Sequence, residues 1–163
     1  MGVIGGKPVR AGSAKEQQAK WLWDGIKPDV AVTFTLPIAI SSDNGKAKHW
    51  VRGDPIRYAN AWDQFVRRLS KRCWKKSYLR HKRLIPNGAT IEGDGEVIRY
   101  HLHGFFRRPP NMTFDKFKAA IEWEWMRSAW SMTDVDIQPI TGRWVGYTGK
   151  DGPEALLTGS LSF

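Results

Sequence analysis

The stretch ATIEGDGEVIRYHLHGFF, residues 89–106, decides the fold. Two extended runs flank Gly93-Asp94-Gly95, a turn composition, so the stretch predicts a β-hairpin. In the second run Ile98, Tyr100 and Leu102 fall on one side, and Val97, Arg99, His101 and His103 fall on the other. Successive side chains of a strand point to opposite faces. The apolar set therefore asks for a covering layer of helices. The imidazole set points away from that core, to the second face of the sheet.

The flanking sequence supplies the layers. Upstream, DVAVTFTLP (29–37) alternates Val30, Val32, Phe34 and Leu36 with Ala31, Thr33 and Thr35, a period-2 pattern that predicts a strand ending at Pro37. Residues 41–53 read as a loop with an Asn44-Gly45 turn signal. Asp54 and Pro55 then open a long helix, with Tyr58, Trp62, Phe65, Val66, Leu69 and Cys73 on its core side. Downstream, Thr113 caps a helix of about 16 residues that carries Phe114, Phe117, Ile121 and Trp125 on one side. DVDIQPI (134–140) reads as a further strand, with Pro139 marking an edge or an end. RWVGYTGK (143–150) is the last expected ordered piece. Residues 13–24 predict a short helix with Trp21 and Leu22 as its apolar contacts. The expected organisation is a leader with that helix over 1–27, a domain over 28–152 and a tail over 153–163.

Composition limits the function classes. The chain has 163 residues, 41% of them hydrophobic and 26% charged, which predicts one globular domain rather than a disordered chain. Lys plus Arg is 26 against 16 Asp plus Glu, a net charge of +10 that favours a polyanionic partner. No apolar run approaches the ~20 residues that span a bilayer. The first residues lack a signal-peptide core. The single cysteine, Cys73, excludes an internal disulfide framework and a cysteine-based zinc site. A soluble, intracellular protein with no membrane partner is expected. From Arg67 to Arg83 there are nine Lys or Arg residues and no acid, whereas a merely solvated helix face interleaves both signs.

Two motifs carry chemistry. His101-Leu102-His103 puts two imidazoles about 7 Å apart on one strand face, where both can reach one metal ion. A carboxylate is the usual third ligand. Glu92, before the turn, and Glu96, after it, are the candidates, and strand parity favours Glu92 while Glu96 sits on the parity of Ile98 and Tyr100. Two imidazoles and a carboxylate leave positions open for water or a phosphate oxygen, which suits Mn²⁺ or Mg²⁺ in phosphoryl transfer. The second motif is Tyr147-Thr148-Gly149-Lys150. On a helix, i and i+3 share a face. A phenol has a pKa near 10, and a neighbouring ammonium or a metal-polarised phosphate eases its attack.

Together VTFTLP (32–37), YHLHGFF (100–106) and GYTGK (146–150) form an ordered set. In it the chain resembles the HUH endonucleases, in particular rolling-circle replication initiator proteins with a single catalytic tyrosine, closest in look to those of bacterial plasmids and prophages. The resemblance spans about residues 28–152. It implies an α+β fold: a central antiparallel sheet of about five strands with helices packed on one face, related to RNA-recognition and ferredoxin-like folds. It implies a site-specific nickase and ligase for single-stranded DNA. His101, His103 and Glu92 would bind the divalent metal. Tyr147 would become linked to a 5′ phosphate and leave a free 3′-OH, with Lys150 as its helper. The expected substrate is a single-stranded origin, including one held in a hairpin. A host helicase and polymerase are the expected partners, because no phosphate-binding G-x-x-x-x-G-K-[ST] loop of a helicase domain is present. The expected location is a bacterial cytoplasm, or a host nucleus for a eukaryotic virus.

On this reading Arg67, Arg68, Lys71, Arg72, Lys75, Lys76 and Arg80 follow DNA phosphates. Most of the nine tryptophans are expected to be core or hairpin contacts rather than base platforms. Trp50 is the expected base-stacking exception, with Lys48 beside it. Three other readings share parts of the pattern. A binding module that does not cut shares the charge and fold but leaves the joint occurrence of the two motifs unexplained. A transposase of the same superfamily usually pairs its tyrosine with glutamine rather than lysine. A water-using nuclease would not need Tyr147.

Overall fold

The computed structural model describes residues 13–43, 45, 47–140, 156–159 and 161–163. The element order is α1 (Ala14–Ile26), β1 (Val30–Thr35), β2 (Ala39–Asp43), β3 (Lys48–Arg52), α2 (Pro55–Trp74), α3 (Lys76–His81), β4 (Asn87–Glu92), β5 (His101–Phe106), α4 (Phe114–Met126) and β6 (Val135–Pro139). The fold is α+β. Four strands form an antiparallel sheet in the order β4-β5-β1-β6, and β2 and β3 form a separate two-stranded sheet. Short bridges, Asn87 to Ser162 and Thr90 to Leu156, bring the C-terminal residues onto the outer edge of β4.

The period-2 pattern is realised as expected in β1 and β5. Val30, Val32 and Phe34 join Leu102 and Phe106 in the main core, under Trp62, Phe65, Phe117 and Trp125 from α2 and α4. Phe34 stacks flat on Trp125, with centroids 4.2 Å apart and planes 6° from parallel. Burying each large side chain contributes about 1.5–3 kcal/mol, so this aromatic cluster dominates the stability of the sheet. Gly104 lies between the two layers, and a Cβ there would overlap the Trp62 ring and come within 2.8 Å of Val32 Cγ2.

Both long helices start at expected caps. The Asp54 carboxylate accepts from the Arg57 amide, with Pro55 in the first turn. Thr113 accepts from the Lys116 amide. The basic segment does not continue as one helix. Lys75 takes a positive φ of 46° and separates α2 from α3, which itself ends at Lys82 with φ 51°.

Three further expectations are corrected. First, helices do not lie on one face only. Leu22 and Ile26 of α1 pack with Phe105, Ile140, Leu156 and Leu161 on the second face, so α1 and the C-terminal residues belong to the folded body. The boundaries expected near 27 and 153 thus divide segments that pack together. Second, residues 41–53 are no simple loop, because β2 and β3 pair from Ala39↔Arg52 to Asp43↔Lys48. Their mainly polar residues mask the strand pattern. Third, β5 begins only at His101, so Val97, Ile98 and Arg99 lie in the β4–β5 connection. The Asp94 carboxylate accepts from the amides of Glu96, Val97 and Ile98, each at 2.9 Å, and diverts them from the ladder. Gly93, at φ 115°, makes the turn possible, since a Cβ would meet the Arg99 carbonyl oxygen at 2.7 Å.

The tight Gly104 site gives a direct stability test. Gly104→Ala is expected to destabilise the fold by about 1–3 kcal/mol through overpacking. Urea unfolding monitored by circular dichroism measures it, and an unchanged midpoint would contradict the packing described.

Candidate active site on the polar face of the sheet

Strand register builds the site. Glu92 pairs directly with His101, and Thr90 pairs with His103. Across the other edge of β5, Thr33 pairs with His103 and Thr35 with His101. Directly paired residues share a face, so Glu92, His101, His103, Thr33 and Thr35 all lie opposite the aromatic core. The Glu92 carboxylate reaches diagonally to His103, with Oε2 2.9 Å from Nε2. Thr33 Oγ1 lies 3.2 Å from His103 Nδ1. His103 is thus held at both ring nitrogens by groups on the two neighbouring strands. The two imidazole rings lie 6.4 Å apart between centroids, 22° from parallel. Next to them the Thr35 hydroxyl donates to Asp134 Oδ2 at 2.8 Å.

Exposure is graded along this face. His103 is only 7% exposed. His101 and Glu92 are half-buried and open toward the strand ends. Glu96 is exposed in the connection, where its amide donates to Asp94, so register brings Glu92 rather than Glu96 to the histidines.

Glu92, His101 and His103 together would offer two imidazole nitrogens and a carboxylate, donor types from which divalent-cation sites are built. Among the described residues no group of three His, Cys, Asp or Glu side chains is gathered tightly enough to hold a metal ion. Glu92 and His103 are in contact, and His101 stands directly across from Glu92 in the register. Tyr147 and Lys150 lie outside the described residues. Cys73 offers no alternative nucleophile, because burial pushes its thiol up to about 11, well above neutral pH.

The cations expected to follow DNA are divided by the fold. Arg67 and Lys71 on α2, Lys75, and Lys76 and Arg80 on α3 are exposed. Arg68 and Arg72 instead converge on Glu124 of α4, a residue absent from the sequence reading. Arg72 Nε lies 2.7 Å from Glu124 Oε1, Arg68 Nε 3.5 Å from Oε2, and Arg127 joins at 3.0 Å. The Glu124 side chain is only 3% exposed. It ties α4 to α2, so these arginines serve packing as well as charge. A cleft of about 530 Å³ opens beside them, bounded by Arg57, Gln64, Arg68 and Arg127 and by Ile40 and Val51 of the small sheet. The α2 cations sit on the helical side of the main sheet, away from the histidines. A pattern of acid at one helix position facing arginines 52 and 56 residues earlier has no local spacing by which it is legible.

Lys48 and Trp50 lie together on β3, and Trp50 is 76% exposed. Among the described residues Trp62, Trp125 and Trp130 are buried, Trp23 and Trp74 are half-buried, and Trp21, Trp50 and Trp123 are exposed, so fewer tryptophans lie in the core than expected. Among the described residues no helix is long and apolar enough to cross a membrane. No family model matches the chain, and neither curated proteins nor solved structures give a match.

Two measurements check this electrostatic reading. Glu124→Ala leaves three guanidiniums without their shared carboxylate and is expected to cost about 2–3 kcal/mol, below the fully buried case because Arg72 and Arg127 are water-screened. Chemical denaturation measures it. Hydrogen bonds from the Ile98, Glu96 and Val97 amides hold the Asp94 carboxyl below the usual aspartate range. A depressed folded pKa means that the ionised form supports the loop above the unfolded pKa, and that this support fades as pH falls through the folded value. Amide resonances of Glu96, Val97 and Ile98 are therefore expected to titrate together below the ordinary aspartate pKa, and to exchange faster in Asp94→Ala.

Proposed function

We propose that this chain is an endonuclease and strand transferase of the HUH type, cutting and rejoining single-stranded DNA through Tyr147 to start rolling-circle replication. The observation that carries the reading is the Glu92–His103 contact beside His101 on the polar face of an antiparallel sheet. The order of the motifs along the chain supports it, and so does the net charge of +10. A four-stranded antiparallel sheet with the imidazoles opposite the helical core is compatible with the RNA-recognition-like arrangement of that superfamily.

On this reading Glu92, His101 and His103 are the residues that would hold a divalent ion, Mn²⁺ or Mg²⁺, and such an ion would supply Lewis-acid polarisation of the scissile phosphate. Thr33 fixes the ring of His103 through Nδ1, so that Nε2 keeps its direction. The Tyr147 oxygen attacks phosphorus as its proton leaves to solvent. The new Tyr147–phosphate bond forms as the bond from phosphorus to the 3′ oxygen breaks, and that oxygen takes a proton. The product is a 5′-phosphotyrosine and a free 3′-OH, and the reverse attack rejoins the strand. Lys150 offsets negative charge on the phosphate or the phenolate.

A covalent-adduct assay tests the reading. Single-stranded oligonucleotides, hairpins and a randomised pool are incubated with the protein in Mn²⁺ or EDTA and resolved on a denaturing gel. A protein–DNA band is expected in Mn²⁺ and is expected to vanish in EDTA and in Tyr147→Phe. His103→Ala and Glu92→Gln are expected to lower it by about 100-fold, and Thr33→Val by about 10-fold. Cleavage that persists in Tyr147→Phe would establish water as the nucleophile. Binding without adduct on every substrate would leave a binding module.

A further inference from the structure

We infer that the outer face of the β2–β3 hairpin is a stacking platform for single-stranded DNA, formed by Lys48, Trp50 and Arg52. This deepens the function proposed above and rests on it for the choice of DNA.

The strand pairing sorts the hairpin into two faces. Ile40 and Val51 pack against the main core. The opposite face carries Lys48, Trp50 and Arg52 along β3, about 7 Å between neighbours. Across from them stand Asp43, Ser41 and Ala39. Ser41 and Ala39 are too small to cover an indole. Trp50 is accordingly 76% exposed, and among the described residues it has no ring or cation partner. The other two strongly exposed tryptophans differ. Trp21 meets the Phe163 ring at 4.8 Å, and Trp123 has the Arg72 guanidinium at 5.8 Å.

A bare indole between two cations fits a particular ligand. Bases stack on aromatic faces whatever their identity, while Lys and Arg on each side neutralise the phosphates that flank the stacked base. Asp43 faces Lys48 across the hairpin and Arg52 shares a cavity with Asp54 and Asp94, so the flanking charge is partly offset, and the chain's net charge of +10 is what favours a polyanion over an apolar protein partner. Duplex DNA offers its bases only by their edges, so the stack selects a single strand.

The hairpin is also anchored near the histidines. Its base is closed by the Gly53 amide donating to the Ile38 carbonyl at 2.7 Å, and the Tyr58 hydroxyl donates to the Pro37 carbonyl at 2.8 Å. Thr35, paired with His101, is separated from Ala39 only by residues 36–38, a reach of at most about 14 Å. The base of the hairpin at Ala39 is therefore tied within a few nucleotides' length of the candidate active site.

Fluorescence anisotropy in EDTA tests the platform without cleavage. The probes are a labelled dT oligonucleotide, an abasic chain of equal length and a duplex. Trp50→Ala is expected to weaken dT binding about 10-fold, with Trp50→Phe restoring most of the loss and the abasic chain changing less than twofold. The double variant Lys48→Ala/Arg52→Ala is expected to weaken both single-stranded probes and to reduce the salt slope by about 1.4. All variants should keep the wild-type melting temperature, because the three side chains are solvent-facing. A loss below twofold on dT, an equal loss on the abasic chain, or a tighter hold on the duplex than on dT would each overturn the platform. Since EDTA binding needs neither metal nor Tyr147, a failed adduct assay with intact Trp50-dependent binding would overturn the catalytic reading alone.

Discussion

Phe34 lies flat against Trp125 at 4.2 Å, and Phe65 and Trp62 close around it. This aromatic contact sets how α4 and α2 sit on the sheet. It also sets which way each strand residue points. With Phe34 and its partner Leu102 committed to the core, Thr33, Thr35, His101 and His103 have only the opposite face. A one-residue slip of β5 would bury both imidazoles in an aromatic core without partners and expose Leu102 and Phe106. The cost of that slip holds the register, and the register in turn holds Glu92 against His103.

The second constraint is electrostatic. A nearly fully buried carboxylate, Glu124, gathers Arg68, Arg72 and Arg127 between α2 and α4. Three cations around one acid leave positive charge near the adjoining cleft. The same charges that favour a polyanion therefore also join the two helices, and a substitution of Arg68 affects both. Lys48, Trp50 and Arg52 stand apart from this cluster, on a hairpin whose outer face contributes little to the core. Binding tests are cleaner there than on α2.

Much of the layout was legible in local pattern. Period-2 alternation in 29–37 and 101–106 marks β1 and β5 because one face is strongly apolar. Asp54-Pro55 and Thr113 mark helix starts through caps that act within three residues. The His101/His103 face follows from parity alone. The β2–β3 hairpin was not legible, because AISSD and KHWVR offer only Ile40 and Val51 to their apolar face and are otherwise mainly polar. The late start of β5 was hidden because Asp94 captures three amides that the alternation of Val97 to Tyr100 would assign to a ladder. The helix break at Lys75 has no marker either, since neither Gly nor Pro stands there.

The sequence by itself determined the apolar faces of β1, α2 and α4, which strand face carries the imidazoles, and that the chain is strongly cationic. These properties depend on neighbours a few positions apart. Only the tertiary structure decided which of Glu92 and Glu96 lies against the histidines, the choice of Glu124 as the arginine partner, the placement of α1 on the second face, and the division of the basic residues from the histidines. Each depends on the three-dimensional meeting of segments distant in the chain or on the exact path of a connection. The physical reason is that burial follows from one residue's own hydrophobicity, whereas a hydrogen bond or ion pair needs two partners whose positions are set by everything packed between them.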